Sequence, residues 1–209
     1  MTSKNAPAVI LGASYAAHWP IEQLAGHPVV NRGIGGNESF DMHERFDEDV
    51  VALEPAKVLI WGFINDIFRA EPGKMEETKQ RIQSGYKAMV AAAEKEGIEV
   101  ILATEVSIRG EAGFANWAAS VIGDILGKTS YQSMINGHVK EVNIWLKDFA
   151  RSKGITVLDF ESLLADSDGT RKSEFAVDDG SHLTAAAYAT MSKYTQDALQ
   201  AGRTANEVK

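Results

Sequence analysis

Short apolar runs alternate with longer segments of helical period along this chain. Five of the runs are rich in β-branched residues and read apolar at nearly every position, as strands do when both of their faces are buried in a sheet. They are AVIL at 8–11, PVVN at 28–31, KVLIW at 57–61, IEVILAT at 98–104 and ITVLD at 155–159. The pattern between and after them predicts helices at about 15–25, 39–53, 75–96, 135–153 and 183–200.

The alternation of strands with helices predicts an α/β fold. Parallel strands joined by right-handed crossovers carry helices on both faces of the sheet. We therefore expect a three-layer α/β/α sandwich with a five-stranded parallel sheet, for which the flavodoxin-like order 2-1-3-4-5 is the common solution. No repeat, low-complexity tract or Pro/Gly/Ser-rich linker interrupts the 209 residues, which predicts a single domain over 1–209.

Residues 105–134 fit this alternation less well, because they form a long connection between the fourth strand and the next helix. Part of the connection carries an apolar stripe at helical spacing. This stripe predicts an extra helix packed on the body of the domain, and the alternatives are a lid or pocket wall, or a contact in a homo-oligomer. Its members are Phe114, Trp117, Ala118, Val121, Ile122, Ile125 and Leu126.

The charge and composition narrow the classes of partner. The chain has 21 Lys and Arg against 29 Asp and Glu, a formal net charge of −8, which argues against nucleic acid and anionic membranes as partners. There is no cysteine, so disulfides, thiolate metal sites and cysteine nucleophiles are excluded. Residues 1–7 lack the apolar core of a signal peptide, and no apolar run approaches the ~18 residues of a membrane span. These features predict a soluble, cytoplasmic protein with a small-molecule partner.

A serine stands directly after the first predicted strand. In VILGASYAAHW at 9–19 the apolar run stops at Gly12, and Ser14 follows at the start of a predicted helix. Serine is a common N-cap residue, so a cap is one interpretation and a nucleophile is the other. In the order 2-1-3 the loops after the first three strands are neighbours, with that of Ser14 in the middle, and α/β sheets bind ligands at this position.

The two flanking loops carry hydrogen-bond donors. The loop NRGIGGNES at 31–39 contains Gly36, and the loop after the third strand contains Asn65. A backbone N–H in a glycine loop and an asparagine amide can both donate to an oxygen that becomes negative during acyl transfer, as can the N–H of Ser14. A phosphate-binding loop and an ordinary turn are the alternatives, although the dinucleotide pattern GxGxxG is absent.

A serine nucleophile needs a general base, and His182 is the strongest candidate for it among the five histidines. It lies in the polar loop VDDGSHLT at 177–184, where Asp179 stands three residues ahead and can hold one ring nitrogen of the imidazole. His18 is a second candidate, because it follows Ser14 by four residues on the same helix face. A zinc site built on Asp178, Asp179 and His182 would lack a second nearby histidine, and we expect no metal there.

Four segments in this order resemble the sequence blocks of the SGNH hydrolases, also called the GDSL lipase/esterase family. The blocks look like GASY at 12–15, NRGIGGN at 31–37, FIND at 63–66 and DGSH at 179–182. The resemblance extends from about residue 8 to residue 200. It covers most of the chain and keeps the placement of each block at a strand end.

The resemblance implies a carboxylic ester hydrolase that works through an acyl-enzyme. Ser14 would be the nucleophile, His182 its general base and Asp179 the residue that orients the base. The oxyanion hole would consist of the N–H groups of Ser14 and Gly36 and the side chain of Asn65. The substrate would be a small or medium acyl ester, and no metal or organic cofactor is implied.

Four positions depart from the family pattern. Ala13 stands where the motif has aspartate, Tyr15 replaces the usual leucine, and bulky Phe63 and Ile64 stand where glycine is frequent. Tyr15, Phe63 and Trp117 could narrow the substrate pocket, and packing in the core is the alternative role for these aromatic residues. Two other functions stay open at this stage: an acyltransferase that uses the same acyl-enzyme, and a non-catalytic flavodoxin-like domain that binds a ligand, which Ala13 favours.

Overall fold

The computed structural model describes residues 6–109 and 128–207, which contain one six-stranded sheet in the order β2-β3-β1-β4-β5-β6. The strands β1, β3, β4, β5 and β6 pair in parallel, and β2 pairs antiparallel with β3. The five predicted strands thus occur in the predicted order 2-1-3-4-5. Their bounds are β1 (Ala8–Gly12), β2 (Gln23–Leu24), β3 (His27–Gly33), β4 (Lys57–Trp61), β5 (Glu99–Ala103) and β6 (Thr156–Leu158).

Helices accompany the sheet as a three-layer α/β/α sandwich, which confirms the predicted fold class. The long helices α5, α6 and α8 correspond to three of the predicted ones, and α6 begins at Lys128, before the predicted start at 135. The helices are α1 (Ser14–Ala17), α2 (Ser39–Glu44), α3 (Phe46–Asp49), α4 (Ile64–Phe68), α5 (Met75–Lys95), α6 (Lys128–Lys153), α7 (Phe160–Leu164) and α8 (Ala185–Glu207), with 3₁₀ turns at Val51–Leu53 and Ser173–Phe175.

The central strands form the middle of the hydrophobic core. Residues 8–11 of β1 and 58–61 of β4 have no exposed surface, as the apolar runs of the sequence require. The helix α5 adds an apolar stripe at the spacing of a helix face, because its buried members include Ile82, Tyr86, Met89, Val90 and Ala93. Both central strands are therefore packed in the core up to their carboxyl ends.

The helix predicted over 15–25 is wrong beyond Ala17. Pro20 lies shortly after that point and disfavours the helical conformation of the residue before it. The chain then forms the hairpin β2–β3, whose two-residue turn has positive φ at Ala25 (51°) and Gly26 (81°), the geometry of a type I′ turn. The short edge strand β2 was not expected.

The helix predicted over 39–53 is divided into α2, α3 and a 3₁₀ turn. Arg45 stands at the first break with φ −96° and ψ 9°, and its guanidinium binds backbone carbonyls outside the helix. Glu54 ends the last piece with a positive φ of 47°. This segment is therefore not one straight helix.

The extra helix, lid or subunit contact predicted within 105–134 lies mostly outside the described residues, because nothing is described between 109 and 128. The described start of this connection, from Thr104 to Ile108, is buried and forms no regular secondary structure. The single-domain organisation stays a prediction. Among the described residues, no helix combines the length and apolarity that crossing a membrane requires.

Candidate active site

Ser14 lies at the carboxyl end of the central strand β1, as the first residue of α1. Ala13 occupies the N-cap position and makes no side-chain capping hydrogen bond. Ser14 is the first helical residue and does not stand at the N-cap, which counts against the cap interpretation. A serine at the first helical position also has a backbone N–H without a partner inside the helix. Ser14 is half-buried, so its hydroxyl and its backbone N–H can both face a substrate.

The glycine loop packs directly against α1. A side-chain carbon built on Gly33 would come within 2.2 Å of the backbone nitrogen of Ala17, so only glycine permits this contact. Asn31 adds a second connection, because its side-chain amide donates to the Ala16 carbonyl (2.7 Å) and its amide oxygen accepts from the Gly33 N–H (2.8 Å). The loop and the serine turn are thus held as one unit.

The short helix α4 holds the other end of the glycine loop. Asn65 donates one side-chain N–H to the Asn37 carbonyl (2.9 Å), and Arg69, one turn later, donates to the Gly36 carbonyl (2.6 Å). Gly36 has φ +81°, a conformation that favours glycine. An asparagine amide has two N–H groups, so the bond to Asn37 leaves Asn65 a second donor for a ligand.

The predicted base and its orienting carboxylate are in contact. His182 Nδ1 lies 2.6 Å from Asp179 Oδ2, and the other carboxylate oxygen accepts from the backbone N–H groups of Ser181 (2.8 Å) and His182 (2.9 Å). Partial burial raises the pKa of Asp179, but these hydrogen bonds and the imidazole outweigh it and lower the pKa to about 2. The carboxylate is therefore ionised at neutral pH.

The imidazole of His182 lies against the first helix. Its ring centroid is 6.4 Å from that of Tyr15 and 6.0 Å from that of His18, both in edge-to-face contact. Since Tyr15 follows Ser14 directly, the Asp179–His182 pair lies next to the serine turn. The second candidate base, His18, is exposed and lies at the same rim.

Arg45 connects the serine turn with the glycine loop, a contact that the sequence did not predict. Its guanidinium donates to the carbonyls of Gly12 (3.0 Å) and Arg32 (2.9 Å) and to the side-chain oxygen of Asn37 (2.8 Å). Ala13, which stands in place of the motif aspartate, has no polar side chain to support this turn. Arg45 supplies such support from the far side of the loop.

Glu105 is a second residue that the sequence did not identify. It follows β5 at the same edge of the sheet and is fully buried. Its Oε2 accepts from the backbone N–H groups of Phe63 (2.9 Å) and Ile64 (3.3 Å) at the start of α4, so it fixes the helix that carries Asn65. Burial raises the pKa of Glu105 to about 7, although the backbone hydrogen bonds and Arg171 act in the opposite direction. The signal available was its position directly after a buried strand.

We expect the substitution Glu105→Gln to remove part of the pH dependence of the free energy of unfolding. The pKa of Glu105 is about 7 in the folded protein against an ordinary value of 4.5, so between these values the folded state holds a proton that the unfolded state releases. Wild-type stability then falls as pH rises through this window, while the glutamine variant has no such loss. The difference in the free energy of unfolding, Glu105→Gln minus wild type, should therefore rise by ~3 kcal/mol between pH 4 and pH 8. Each pH unit between the two pKa values contributes ~1.4 kcal/mol to this difference.

Urea denaturation of both proteins at several pH values measures this difference. Glu99→Gln is the control, because Glu99 begins β5, the strand that Glu105 follows, but is exposed and pairs with Lys57. The pH dependence of Glu105→Gln relative to wild type should exceed that of this exposed control. A pH-independent difference for Glu105→Gln would contradict the assignment.

The three aromatic residues predicted to contact substrate have different outcomes. Tyr15 and Phe63 are buried, at 4% and 0% exposure, and the Tyr15 ring stacks on Trp61 with centroids 5.5 Å apart. Their burial favours the core alternative over a substrate contact. Trp117 lies outside the described residues.

Comparison with known proteins agrees with the resemblance to the GDSL lipase/esterase family. Residues 8–190 match the GDSL-like Lipase/Acylhydrolase family. Among solved structures, a GDSL-like lipase from Bacteroides thetaiotaomicron VPI-5482 has a TM-score of 0.71 at 20% identity, over 94% of this chain and 88% of that one. A candidate acylhydrolase from Bacteroides fragilis NCTC 9343 has a TM-score of 0.69 at 27% identity, over 94% and 87% of the two chains.

Two further proteins match different shares of this chain. A catalytic mutant of Axe2, an acetylxylan esterase from Geobacillus stearothermophilus, has a TM-score of 0.62 at 18% identity, over 95% of this chain and 96% of that one. The uncharacterized lipoprotein YqeF of Bacillus subtilis (strain 168) is 32% identical over 80 residues, which are 38% of this chain and 33% of that protein. This chain thus matches a third of the length of that relative. Because that relative is a lipoprotein, the cytoplasmic location of this chain stays a prediction.

The fold, the serine at the end of the central strand and the adjacent histidine–carboxylate pair agree with the family match, which covers most of the chain. A likeness at 18% or 20% identity establishes the fold alone, and the match over residues 8–190 establishes the family. The chain belongs to the GDSL-like lipase/acylhydrolase family.

Proposed function

We propose that the protein hydrolyses carboxylic esters of small or medium acyl groups through an acyl-enzyme on Ser14, with His182 as general base and Asp179 as its orienting carboxylate. The observation that carries this proposal is the 2.6 Å contact between His182 Nδ1 and Asp179 Oδ2 beside the serine turn. An ionised carboxylate on one ring nitrogen fixes the tautomer and leaves Nε2 free to accept a proton.

In the acylation step, the Ser14 hydroxyl transfers its proton to His182 Nε2 while Oγ forms a bond to the ester carbonyl carbon. The carbonyl oxygen becomes negative and accepts hydrogen bonds from the N–H groups of Ser14 and Gly36 and from Asn65. The intermediate then collapses, the ester C–O bond breaks, and the imidazolium returns its proton to the leaving alkoxide. This leaves the acyl group on Ser14 and a neutral imidazole.

In the deacylation step, His182 takes a proton from water, and the hydroxide oxygen attacks the acyl carbon. The C–O bond to Ser14 then breaks, and the imidazolium returns the proton to Oγ, so that the carboxylic acid leaves and the enzyme is restored. The oxyanion donors act in both steps because the same carbonyl oxygen becomes negative each time. Their pre-organisation is supported by the bonds that hold the glycine loop to α1 and α4.

Reaction with a fluorophosphonate, followed by intact-protein mass spectrometry, tests the proposal. An activated serine displaces fluoride and gains one phosphonyl group, so wild type should show a single adduct and Ser14→Ala none. Ser152→Ala is the control, because Ser152 is exposed at the end of α6 and its loss should leave the adduct in place. An unlabelled wild type, or an adduct that persists in Ser14→Ala, would exclude Ser14 as the nucleophile.

A further inference from the structure

Arg171 is fully buried against the loop that carries His182. Its Nη1 donates to the carbonyls of two successive loop residues, Ser181 (3.0 Å) and His182 (2.9 Å). Its Nε donates to the Ser107 carbonyl (2.7 Å) in the segment that follows β5. The guanidinium is planar and presents its donors in a fixed geometry, so it determines where the backbone of His182 lies.

The same guanidinium also reaches the serine turn. Its Nη2 donates to the hydroxyl of Tyr15 (2.8 Å), and that hydroxyl in turn donates to the Ser181 carbonyl. Burial raises the pKa of Tyr15 to about 12, although Arg171 acts in the opposite direction, so the hydroxyl stays protonated as a donor. Tyr15 follows Ser14 in α1, and its own carbonyl accepts from the Tyr188 hydroxyl (3.1 Å). One network therefore joins the turn of the serine to the loop of the histidine.

The partners of Arg171 indicate a role beyond charge pairing. Among the described residues it makes no salt bridge, and its hydrogen bonds go to neutral oxygens. The buried Glu105 interacts with it only through space. Burying a cation costs free energy that apolar packing would avoid, whereas no apolar side chain could bind three carbonyls and a hydroxyl at once.

We propose that Arg171, acting through Tyr15 and the carbonyls of Ser181 and His182, is a positioning residue that holds the imidazole in register with Ser14. This inference rests on the proposed function, because it assigns the register of a base and its nucleophile. Proton transfer depends steeply on such alignment, and a shift of 1 Å can reduce turnover by about 10². Ordinary support of the fold would instead alter stability and leave the turnover of folded protein unchanged.

Three variants separate positioning from support. Arg171→Met removes every donor, Arg171→Lys keeps the charge but replaces the planar fork with a single ammonium, and Tyr15→Phe removes only the bridging hydroxyl. Tyr194→Phe is the matched control, because its hydroxyl accepts from the Asp159 N–H (3.3 Å) next to the far edge strand β6. Each protein is assayed with p-nitrophenyl acetate for kcat and KM, and its melting temperature is recorded.

A spectroscopic measurement reports the position of the base without turnover. The proton in the short Nδ1–H···Asp179 hydrogen bond should give a low-field ¹H NMR signal that His182→Ala assigns by its loss. We expect both Arg171 variants to lose or broaden this signal and to lower kcat by about 10- to 100-fold with little change in KM. Tyr15→Phe should show a smaller loss of kcat, and Tyr194→Phe should match wild type in both measurements.

Wild-type kcat together with an intact low-field signal in folded Arg171→Met would overturn the inference. If that variant does not fold, Tyr15→Phe decides, and wild-type kcat with an intact signal there overturns it as well. Failure of the proposed function looks different, since His182→Ala would then retain turnover. In that case the low-field signal in the Arg171 variants still tests whether the guanidinium positions the imidazole.

Discussion

Ser14→Ala should lower kcat for ester hydrolysis by about 10⁴- to 10⁶-fold, the loss expected when one member of a triad is removed. The alanine variant keeps the backbone N–H of residue 14 and the donors of Gly36 and Asn65, so it can still bind the ester but cannot form the acyl-enzyme. KM, or the dissociation constant for substrate, should therefore change far less than kcat. Steady-state hydrolysis of p-nitrophenyl acetate, with the uncatalysed rate subtracted, measures both.

Loss of folding cannot account for such a result. Ala13, not Ser14, occupies the N-cap position of α1, and alanine is a good helix former, so the melting temperature should stay close to that of wild type. A further control is the double variant Ser14→Ala/His182→Ala, which should be no slower than either single variant because the two side chains act as one unit. Additive losses would mean that the serine and the histidine serve separate steps.

The sequence predicts the central fold because its physical cause is local. Residues 8–11 and 58–61 are apolar throughout, and these runs are the completely buried parts of β1 and β4. The edge of the sheet was less predictable. The hairpin that adds β2 depends on Ala25 at φ 51°, a conformation that alanine rarely adopts and that no sequence pattern indicates.

The candidate site was predictable where short spacings or strand ends define it. Ser14, Gly36 and Asn65 follow neighbouring strands, and Asp179 stands three residues before His182. The supporting residues were not predictable in this way. Arg171 and the carbonyl it binds at Ser107 are 64 residues apart, and Arg45 reaches Gly12 over 33 residues. Because their partners are backbone atoms, any residue type can provide them, and no motif results.

Two histidines, His182 and His18, lie at the same rim of the site and are candidates for the general base. His182→Ala should lower kcat by about 10⁴- to 10⁶-fold, whereas His18→Ala should leave kcat close to that of wild type. The physical reason is that His182 has a carboxylate on Nδ1 at 2.6 Å, while no carboxylate among the described residues forms an ion pair with the His18 ring, which packs edge-to-face with that of His182. Parallel kinetics of the two variants, with melting temperatures recorded, provides the comparison.

Asp179→Asn extends this prediction to the orienting carboxylate. An asparagine amide can donate to Nδ1 and hold the imidazole in the wrong tautomer, so kcat should fall by about 10³- to 10⁴-fold while the fold is kept. Since the hydrogen bonds from His182 and Ser181 hold the pKa of Asp179 at about 2, the carboxylate stays ionised throughout the acid limb of the wild-type pH profile. Asp179 should therefore add no ionisation of its own to that limb of the kcat/KM profile. If His18→Ala is inactive and His182→Ala is not, the base is His18 and the Asp179–His182 pair has a structural role.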